Sequence, residues 1–486
     1  MQNKELDMVV EQAREEIKKS GASRRDVLKL AGIGGAAMMM AGATQEAEAA
    51  TKAKAAVSGR VVVIGGGFAG LSFINKFTGL ADGASITLIE PSETCYYQPG
   101  YTLIAADVYQ PDDVVYNTAD YVPSDVKWLK TSVTECHPDE NYLVTQNGQK
   151  VEYDYLVVTP GLQLNFDGIE GFSEDVVGKN GISCLYTWDG SQKTEELMIR
   201  FCEQGGKGVF THPNTPIKCG GAPKKIQFLT DGYARKIGTR DKMTLDFYAP
   251  GGGYFGVPEY AKLIEDEYKK KDLGAYFKHT LTSIDPSSKE ATFSHAVETM
   301  VDEYDPILEE TVKVKKTSTE VVNVPFDFIH VTPPMSAPDA IKSSKLAWQK
   351  GSAAKGGWVE LEPQTLQHTR YPNVFGLGDV AGIPLGKTGG SIRKQYPVAA
   401  QNLADVMAGK EPSAKYDGYT VCPLITDYGE VAMLEFDWTD PSAGVYSGKM
   451  APSLPLNPLE PHWLYWVLKV YMLKPMTMYG MLKGMA

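Results

Sequence analysis

Cysteine and histidine are both scarce in this sequence. Its 486 residues include six cysteines, none of them in a C-x-x-C pair, and seven histidines without zinc-ligand spacing. So few and so scattered, the cysteines exclude a small disulfide-stapled scaffold, and the histidines argue against a structural zinc site. The sequence therefore predicts no metal centre.

Positive charge is also in deficit. The net charge is −12, which would repel nucleic-acid phosphates, so we expect no nucleic-acid partner. Near the carboxyl terminus the longest uncharged stretch is far shorter than the roughly 20 residues that a membrane-spanning helix needs. What is present is a large apolar fraction, 43% of the chain, enough for two or three cored domains.

The amino-terminal segment has the features of an export signal. A twin-arginine pattern, Ser23 to Lys29, precedes an apolar stretch from Leu30 to Ala43 and then Ala47-Glu48-Ala49, which reads as a cleavage site. We expect residues 1–49 to be a twin-arginine signal peptide. This predicts a mature protein on the periplasmic side of the cytoplasmic membrane, where it would be peripheral.

A glycine turn organises the rest of the chain. The apolar strand Arg60 to Ile64 runs into Gly65-Gly66-Gly67-Phe68-Ala69-Gly70, and a second strand ends in Glu90. This pattern predicts a dinucleotide cradle, with the pyrophosphate at the start of a helix and the acid on a ribose hydroxyl.

Three later segments complete the pattern. An aromatic loop, Pro91 to Gly100, follows Glu90, a strand runs from Tyr153 into Thr159-Pro160-Gly161, and Asn373 to Ala381 contains Gly378-Asp379. Together these segments resemble the two-dinucleotide-binding-domain flavoproteins, and the resemblance implies bound FAD. The cofactor-binding residues expected from it are Gly65, Gly67, Phe68, Ala69, Gly70, Glu90, Pro91, Gln98, Pro99, Val133, Thr159, Gly161, Gly378, Asp379, Lys387 and Thr388.

The middle of the chain lacks a matching nicotinamide site. The strand Gly208 to His212 leads into Pro213–Pro223 rather than into a glycine cradle. Gly251 to Gly256 fits the pattern G-x-G-x-x-G, but Pro258 crowds the start of the following helix. The acidic residue at the end of the next strand, Asp285, is also farther along the chain than in dinucleotide-binding sites. In place of a cradle the loop carries Cys219 at the head of a helix. The helix dipole, Lys218 and Lys224 are expected to lower the pKa of that cysteine.

Three segments are similar to the sulfide:quinone oxidoreductases: Thr215 to Pro223, Lys387 to Gln395 and Gly418 to Leu424. The resemblance implies a redox pair of Cys219 and Cys422 facing FAD, with hydrogen sulfide as substrate and quinone as acceptor. It leaves open which cysteine is attacked and which faces the flavin. Two alternatives are the flavoprotein subunit of a sulfide dehydrogenase that reduces cytochrome c and a type II NADH:quinone oxidoreductase.

Residues 462–484 form an aromatic tail interrupted by Lys469, Lys474 and Lys483. We expect Pro475 to break it into two short helices that lie in the membrane interface, with the lysines at headgroup level. Tyr428 and Phe436 would line a quinone mouth. The alternative is a tail packed on the protein's own core or on a second copy, and a homo-oligomer is compatible with the sequence.

The expected fold is α/β, with two Rossmann-like domains. Residues 58–180 and 326–410 would form the FAD domain, 181–325 a degenerate second domain, and 411–486 a region carrying the second redox cysteine and the membrane-interface tail. Residues 286–325 are expected to include a solvated hairpin.

Overall fold

The computed structural model describes residues 54–305 and 310–485. The predicted signal peptide, 1–49, lies outside them. The strands are β1 Ala55–Ile64, β2 Ala81–Ile89, β3 Thr94–Tyr96, β4 Val115–Asn117, β5 Lys127–Leu129, β6 Val133–His137, β7 Tyr142–Thr145, β8 Lys150–Glu152, β9 Tyr155–Val158, β10 Gln163–Leu164, β11 Ile182–Ser183, β12 Gly206–Thr211, β13 Met243–Ala249, β14 Gly274–Phe277, β15 His279–Asp285, β16 Glu290–Asp305, β17 Glu310–Pro325, β18 Phe328–His330, β19 Met335–Ser336, β20 Val374–Gly376, β21 Thr420–Asp427, β22 Glu430–Asp440 and β23 Val445–Met450. The α-helices are α1 Phe68–Leu80, α2 Tyr101–Ile104, α3 Trp188–Gln204, α4 Ala222–Ile237, α5 Pro258–Lys271, α6 Asp339–Lys342, α7 Ser352–Lys355, α8 Gly389–Met407, α9 Trp463–Val467 and α10 Leu473–Pro475.

The first sheet is parallel, in the order β20-β9-β1-β2-β5. The last four residues of its central strand β1 are all apolar and buried, and Val61, Val62 and Val63 are at most 1% exposed. Such a run is typical of a strand buried on both faces. Helices α1 and α8 pack together beside it, so the glycine turn after β1 and the start of α8 lie in one layer.

The second sheet is also parallel, in the order β11-β18-β12-β13-β14. Strand β18 hydrogen-bonds within this sheet, so the chain leaves the second domain after His330 rather than at residue 326. Between Gly274 and Asp285 the chain forms two strands rather than one, because Lys278 adopts a left-handed conformation with φ +59°. Strand β14 closes the parallel sheet, whereas β15 pairs antiparallel with β16.

The charged insert is a two-stranded antiparallel hairpin, β16 with β17, which confirms the hairpin expected there. Its strands carry cross-strand ion pairs such as Lys315 with Glu298, 2.7 Å, and Lys316 with Glu303, 2.8 Å. These pairs are largely exposed, so they contribute solubility more than stability.

The carboxyl-terminal region is the antiparallel sheet β21-β22-β23 followed by a helical tail, Trp463 to Lys483. The prediction that Pro475 breaks the tail is wrong. The backbone stays helical through it because wider π-helical turns, Leu468–Met472 and Met476–Gly480, flank it and shift the hydrogen-bond register. Within residues 54–305 and 310–485, no helix has the length and apolarity to cross a bilayer.

The three tail lysines dock on the protein itself. The Lys469 ammonium donates to the Pro99 carbonyl at 2.7 Å, Lys474 to the Asp113 carbonyl at 3.0 Å, and Lys483 to the Asp120 carbonyl. Each also lies within 6 Å of a tyrosine ring, those of Tyr97, Tyr109 and Tyr121 respectively. The prediction of headgroup-level lysines is therefore wrong for Lys469, which is 2% exposed.

Candidate active site

The strand ends of the first sheet converge on one cavity of about 640 Å³. Gly65, Glu90, Thr159 and Asp379 follow β1, β2, β9 and β20 closely and line it from one side. Because carboxyl ends of parallel strands meet at one sheet edge, this is where such folds bind nucleotides. The loop with Cys219, the start of α8, the β21–β22 sheet and the tail close the other sides.

The glycine turn has the geometry of a phosphate cradle. A Cβ on Gly65, whose φ is +96°, would lie 2.4 Å from the Thr159 carbonyl oxygen, and one on Gly70 would lie 1.9 Å from the Gly65 oxygen. At Gly67, by contrast, no described protein atom comes within 4 Å of that position. Gly67 also begins α1 without a side-chain cap, so the helix start is open to a phosphate.

Glu90 is held at the end of β2 by two backbone amides. Its carboxylate accepts from Gly66 N at 2.7 Å and from Ser92 N at 2.8 Å while it lines the cavity. A fixed acid at this place fits a ribose hydroxyl.

The second cofactor segment is built around Lys387. Its ammonium donates to the carbonyl oxygens of Asp379, 2.5 Å, and Ala381, 2.9 Å, and lies 3.7 Å from the centre of the Trp358 ring. Burial lowers the pKa of Lys387 to about 7. Thr388 caps α8 by accepting from Ser391 N at 3.1 Å, which orients the helix start toward the cavity.

Most of the predicted cofactor residues line the cavity, and four do not. Those that line it are Gly65, Gly67, Phe68, Ala69, Glu90, Gln98, Pro99, Thr159, Gly161, Asp379, Lys387 and Thr388. Gly70 serves the strand–helix contact, and Gly378 donates its amide to Gln395 Oε1 at 2.8 Å. Pro91 and Val133 are displaced from it, since Val133 opens β6 and pairs with Thr145 in a separate sheet.

Cys219 and Cys422 meet at the cavity wall. Cys219 lines the cavity in a left-handed conformation, φ +52°, and its amide donates to the Lys387 carbonyl at 3.0 Å. Successive strand residues face opposite ways, and Val421 and Pro423 face the cavity, so Cys422 points behind it. There its thiol hydrogen-bonds the Cys219 sulfur. Cys219 is thus the cysteine of the pair that lines the cavity.

The two cysteines shift each other's pKa in opposite directions. The hydrogen bond from Cys422 lowers the pKa of Cys219 well below its usual value, against the effect of burial, and the same bond raises the pKa of Cys422. The Lys225 ammonium donates to the Cys219 sulfur at 3.2 Å. Burial alone would lower the pKa of Lys225, but the two sulfurs raise it. Both neighbours of the Cys219 sulfur, the Cys422 thiol and the Lys225 ammonium, therefore favour its thiolate form.

The predicted cations do not make this contact. Lys218 donates to Gln98 Oε1 at 2.8 Å, and the Lys224 ammonium lies 4.5 Å from the centre of the Phe247 ring. The sequence places Lys224 and Lys225 side by side, and helix phase decides which one reaches the sulfur. In α4, which begins at Ala222, these two neighbours project about 100° apart, and Lys225 is the one that reaches the Cys219 sulfur.

The other cysteines are buried thiols. Cys95 lines the cavity, and burial raises its pKa to about 11; burial also raises the pKa of Cys136, Cys184 and Cys202 to about 12. Of the six cysteines, Cys219 is the one whose pKa is lowered, and a thiolate is a better nucleophile than a neutral thiol.

Tyr428 and Phe436, which were predicted to line a quinone mouth, do not line this cavity. The Tyr428 hydroxyl donates to the Ala106 carbonyl at 2.9 Å, and Phe436 packs edge-on against Phe255, 5.5 Å between ring centres. Met433 and Glu435 face the cavity, so strand alternation turns Phe436 away. The apolar wall comes from the tail instead: Leu468, Leu473, Met476 and Met481.

Sequence reasoning also missed Lys469 and Tyr186, which both line the cavity. Burial lowers the pKa of Lys469 to about 7, with the nearby charge of Lys225 acting in the same direction. The position of Lys469 within an apolar tail was the available signal. Nothing in the local pattern around Tyr186 distinguishes it. Among the described residues, no three potential metal ligands cluster.

Comparisons with known proteins agree with this architecture. Residues 59–194 match the pyridine nucleotide-disulphide oxidoreductase family model. The chain is 37% identical over 429 residues to a mitochondrial sulfide:quinone oxidoreductase of Dictyostelium discoideum, covering 87% of this chain and 86% of that one. It is 36% identical to the mouse protein of the same name, over 78% of each chain. In fold it is similar to the solved sulfide:quinone oxidoreductase of Aquifex aeolicus, with a TM-score of 0.65 and 20% identity, over 87% of this chain and 91% of that one.

Proposed function

The chain belongs to the sulfide:quinone oxidoreductase family of FAD-binding oxidoreductases, and from that premise we propose that it oxidises sulfide through Cys219 and Cys422 and passes the electrons by way of FAD to quinone. The observation that supports the cysteine chemistry most directly is the contact between the Cys219 thiolate and the Cys422 thiol at the wall of the cofactor cavity. Two sulfurs in hydrogen-bond contact can interconvert between a dithiol and a disulfide with a small movement.

The cysteine steps balance as follows. Hydrosulfide attacks the Cys422 sulfur of the disulfide, the S–S bond breaks, and its electron pair remains on Cys219 as thiolate. A second hydrosulfide removes the outer sulfur from the Cys422 persulfide as HSS⁻, which leaves the Cys422 thiol. Re-forming the disulfide from that thiol and the Cys219 thiolate releases one proton and two electrons. The sum is two HS⁻ giving HSS⁻, H⁺ and two electrons.

Each residue of the site has a separate task in this scheme. Cys219 is the leaving sulfur in the first step, and a stabilised thiolate leaves more easily. Lys225 supplies that stabilisation through its 3.2 Å contact. FAD, when bound in the cradle described above, accepts the electron pair and delivers it to quinone. Lys387, buried beside the cavity, keeps a donor next to the cofactor segment.

The choice of quinone as acceptor follows from the family, and the apolar tail residues on the cavity wall support it. Leu468, Leu473, Met476 and Met481 give a lipid-soluble ring a compatible surface. The rival acceptor, a cytochrome c partner, would need a charged docking face rather than an apolar wall.

The predicted membrane attachment is part of the proposal. Tyr471 and Tyr479 are 45% and 49% exposed on the tail, and exposed aromatics of this kind favour the membrane interface. Flotation of Y471A/Y479A with liposomes should recover less protein than wild type. Y276A is the matched control, since Tyr276 is 44% exposed but lies in β14. Equal loss in Y276A, or no loss in the tail variant, would contradict attachment through the tail.

We also propose export by the twin-arginine route to the periplasmic side of the membrane, on the sequence pattern alone. Replacing Arg24 and Arg25 by lysine should leave the precursor in the cytoplasm, measured by fractionation with the tail intact. Unchanged periplasmic recovery would contradict it.

The test of the chemistry is stopped-flow absorbance of the FAD-loaded enzyme mixed with sulfide. Wild type should bleach and then recover colour on addition of decylquinone, whereas C219A and C422A should retain FAD but lose most of the bleaching. C202A is the control, because Cys202 is a buried thiol that does not line the cavity. Normal bleaching in C219A would remove the cysteine mechanism. Recovery of the flavin colour with cytochrome c but not with decylquinone would instead support the alternative function, a sulfide dehydrogenase that reduces cytochrome c.

A further inference from the structure

Three buried polar groups lie together at the carboxyl edge of the second sheet. His330 is the last residue of β18, Thr332 follows it, and Tyr186 follows β11, the neighbouring strand. They are 0%, 1% and 4% exposed. His330 Nδ1, Thr332 Oγ1 and the Tyr186 hydroxyl all lack a hydrogen-bond partner in the described protein. Leaving one buried polar group unpaired costs about 1–3 kcal/mol, so three in one place point to a ligand.

The tautomer of His330 places a hydrogen-bond donor at this site. Its Nε2 accepts from the Leu185 amide at 3.3 Å, so in the neutral ring the hydrogen is on Nδ1. Burial lowers the pKa of His330 to about 3, which keeps the ring neutral. The nearby carbonyl oxygen of His330 itself already accepts from the Thr211 hydroxyl at 3.2 Å. Among the described residues the Nδ1–H group has no partner with hydrogen-bond geometry, so it is available to a bound acceptor.

The two hydroxyls face the same space. An interaction with the Thr332 hydroxyl lowers the pKa of Tyr186 against the larger, raising effect of burial, and neither hydroxyl has a partner that meets hydrogen-bond geometry. A small species between them could accept from both and from His330. Thr332 is fixed there because its amide donates to Thr211 Oγ1 at 3.1 Å.

This site adjoins the cysteine pair. Tyr186 lines the same cavity as Cys219, and the charges of both Cys219 and Cys422 act on its hydroxyl. The Lys218 ammonium lies 6.0 Å from the centre of the Tyr186 ring, which favours an anion nearby. The place is also the edge at which a doubly wound sheet holds its ligand. Here the usual glycine cradle is replaced by the Cys219 loop.

We propose that Tyr186, Thr332 and His330 form a binding site for hydrosulfide next to the Cys219–Cys422 pair. The inference rests on the proposed sulfide oxidation and specifies where its substrate waits before attack. Hydrosulfide is small enough for an enclosed site, carries the negative charge that Lys218 favours, and accepts hydrogen bonds from three donors. Bound there, it enters the first step as the nucleophile with no change in the proton or electron balance given above.

The variants Y186F and T332V each remove one donor without changing side-chain shape. Flavin bleaching is followed against sodium hydrosulfide concentration in the FAD-loaded enzyme. Each variant should raise the half-saturating concentration about tenfold, the effect of one lost hydrogen bond to an anion, and change the limiting rate by less than about twofold. The matched controls are Y153F and T426V, since both hydroxyls are equally buried and unpartnered but lie away from the cavity.

An unchanged half-saturating concentration in Y186F and T332V would overturn the site. So would an equal change in the controls, or a slower limiting rate at unchanged half-saturation, which would indicate a water-filled proton path. These results differ from failure of the proposed function, in which C219A itself bleaches normally with sulfide.

A second measurement does not depend on turnover. Crystals of the FAD-loaded protein soaked in sodium bromide should show an anomalous peak in contact with His330 Nδ1 and the Tyr186 hydroxyl, since bromide is a spherical monovalent anion like hydrosulfide. The peak should weaken in Y186F and persist in Y153F. No peak at this position in the wild-type crystal would overturn the site.

Discussion

Replacing Lys225 by methionine should make Cys219 a weaker thiolate. The change removes the ammonium that donates to the Cys219 sulfur at 3.2 Å and keeps a long apolar stem in its place. A hydrogen bond between charged groups is worth about 1.5–3 kcal/mol. Taking roughly 2 kcal/mol, the balance between thiolate and thiol at this sulfur shifts by about thirtyfold toward the thiol.

The direction of the pKa shift of Cys219 determines how its alkylation depends on pH. Since Lys225 and Cys422 hold the pKa of Cys219 below its usual value, losing Lys225 raises that pKa. Alkylation of the reduced enzyme with iodoacetamide, with the modified cysteine identified by mass spectrometry, should therefore slow most at low pH. The rate should recover at high pH, where the thiol ionises without help.

The neighbouring lysine is the control. The Lys224 ammonium is equally buried but lies over the Phe247 ring, and no hydrogen bond joins it to either sulfur. K224M should leave the pH profile of Cys219 alkylation nearly in place. If K224M moves the profile as far as K225M does, or K225M does not move it, the assignment of the stabilising cation is refuted. Retention of bound FAD in both variants shows that the fold is intact.

Three further predictions concern the cradle, the tail and the wall. G70A should abolish FAD retention after gel filtration, because a Cβ there would lie 1.9 Å from the Gly65 oxygen, and normal retention would contradict the strand–helix contact. K469M should reduce the increase of the unfolding free energy with pH. The pKa of Lys469 is about 7 in the folded protein and 10.5 in the unfolded chain, so the wild type gains up to roughly 5 kcal/mol of stability between these pH values. Urea titrations at about pH 7 and about pH 10 measure this gain, and an equal gain in K469M would refute the prediction. F436L should leave the KM for decylquinone unchanged, whereas M433A should raise it, because only Met433 faces the cavity. A raised KM in F436L with an unchanged KM in M433A would instead support the quinone mouth predicted from the sequence.

The first domain is readable from the sequence because its local chemistry and its fold agree. The apolar run of β1, the glycines and Glu90 each carry a spacing that only a cradle explains, and the structure places them at one sheet edge. Val133 escaped this logic. A short strand of alternating residues fits several sheets, and Val133 pairs with Thr145 in a local hairpin of β6 and β7 rather than in the sheet that forms the cradle.

The site itself was predictable only in part. The chemistry of Cys219 is carried by local sequence, but the cation beside it depends on a helix phase fixed by where α4 begins. The tail was read from composition alone, which does not separate a membrane face from a face that packs on the protein. Lys469 shows the difference, because its whole side chain is buried and its ammonium donates to the Pro99 carbonyl. Tyr186, Thr332 and His330 come together only through the strand order of the second sheet.

The amide of Cys219 is bonded to the carbonyl of Lys387, and the side chain of Lys387 is in turn fastened to Asp379 and Ala381. The Cys219 sulfur is therefore held beside the loop that flanks the cofactor cavity, although β12, the strand before Cys219, belongs to the second sheet. If the two halves were to rock against each other, sulfur and cofactor loop would travel as one piece. The spacing between the Cys219 sulfur and the cofactor loop would then be preserved.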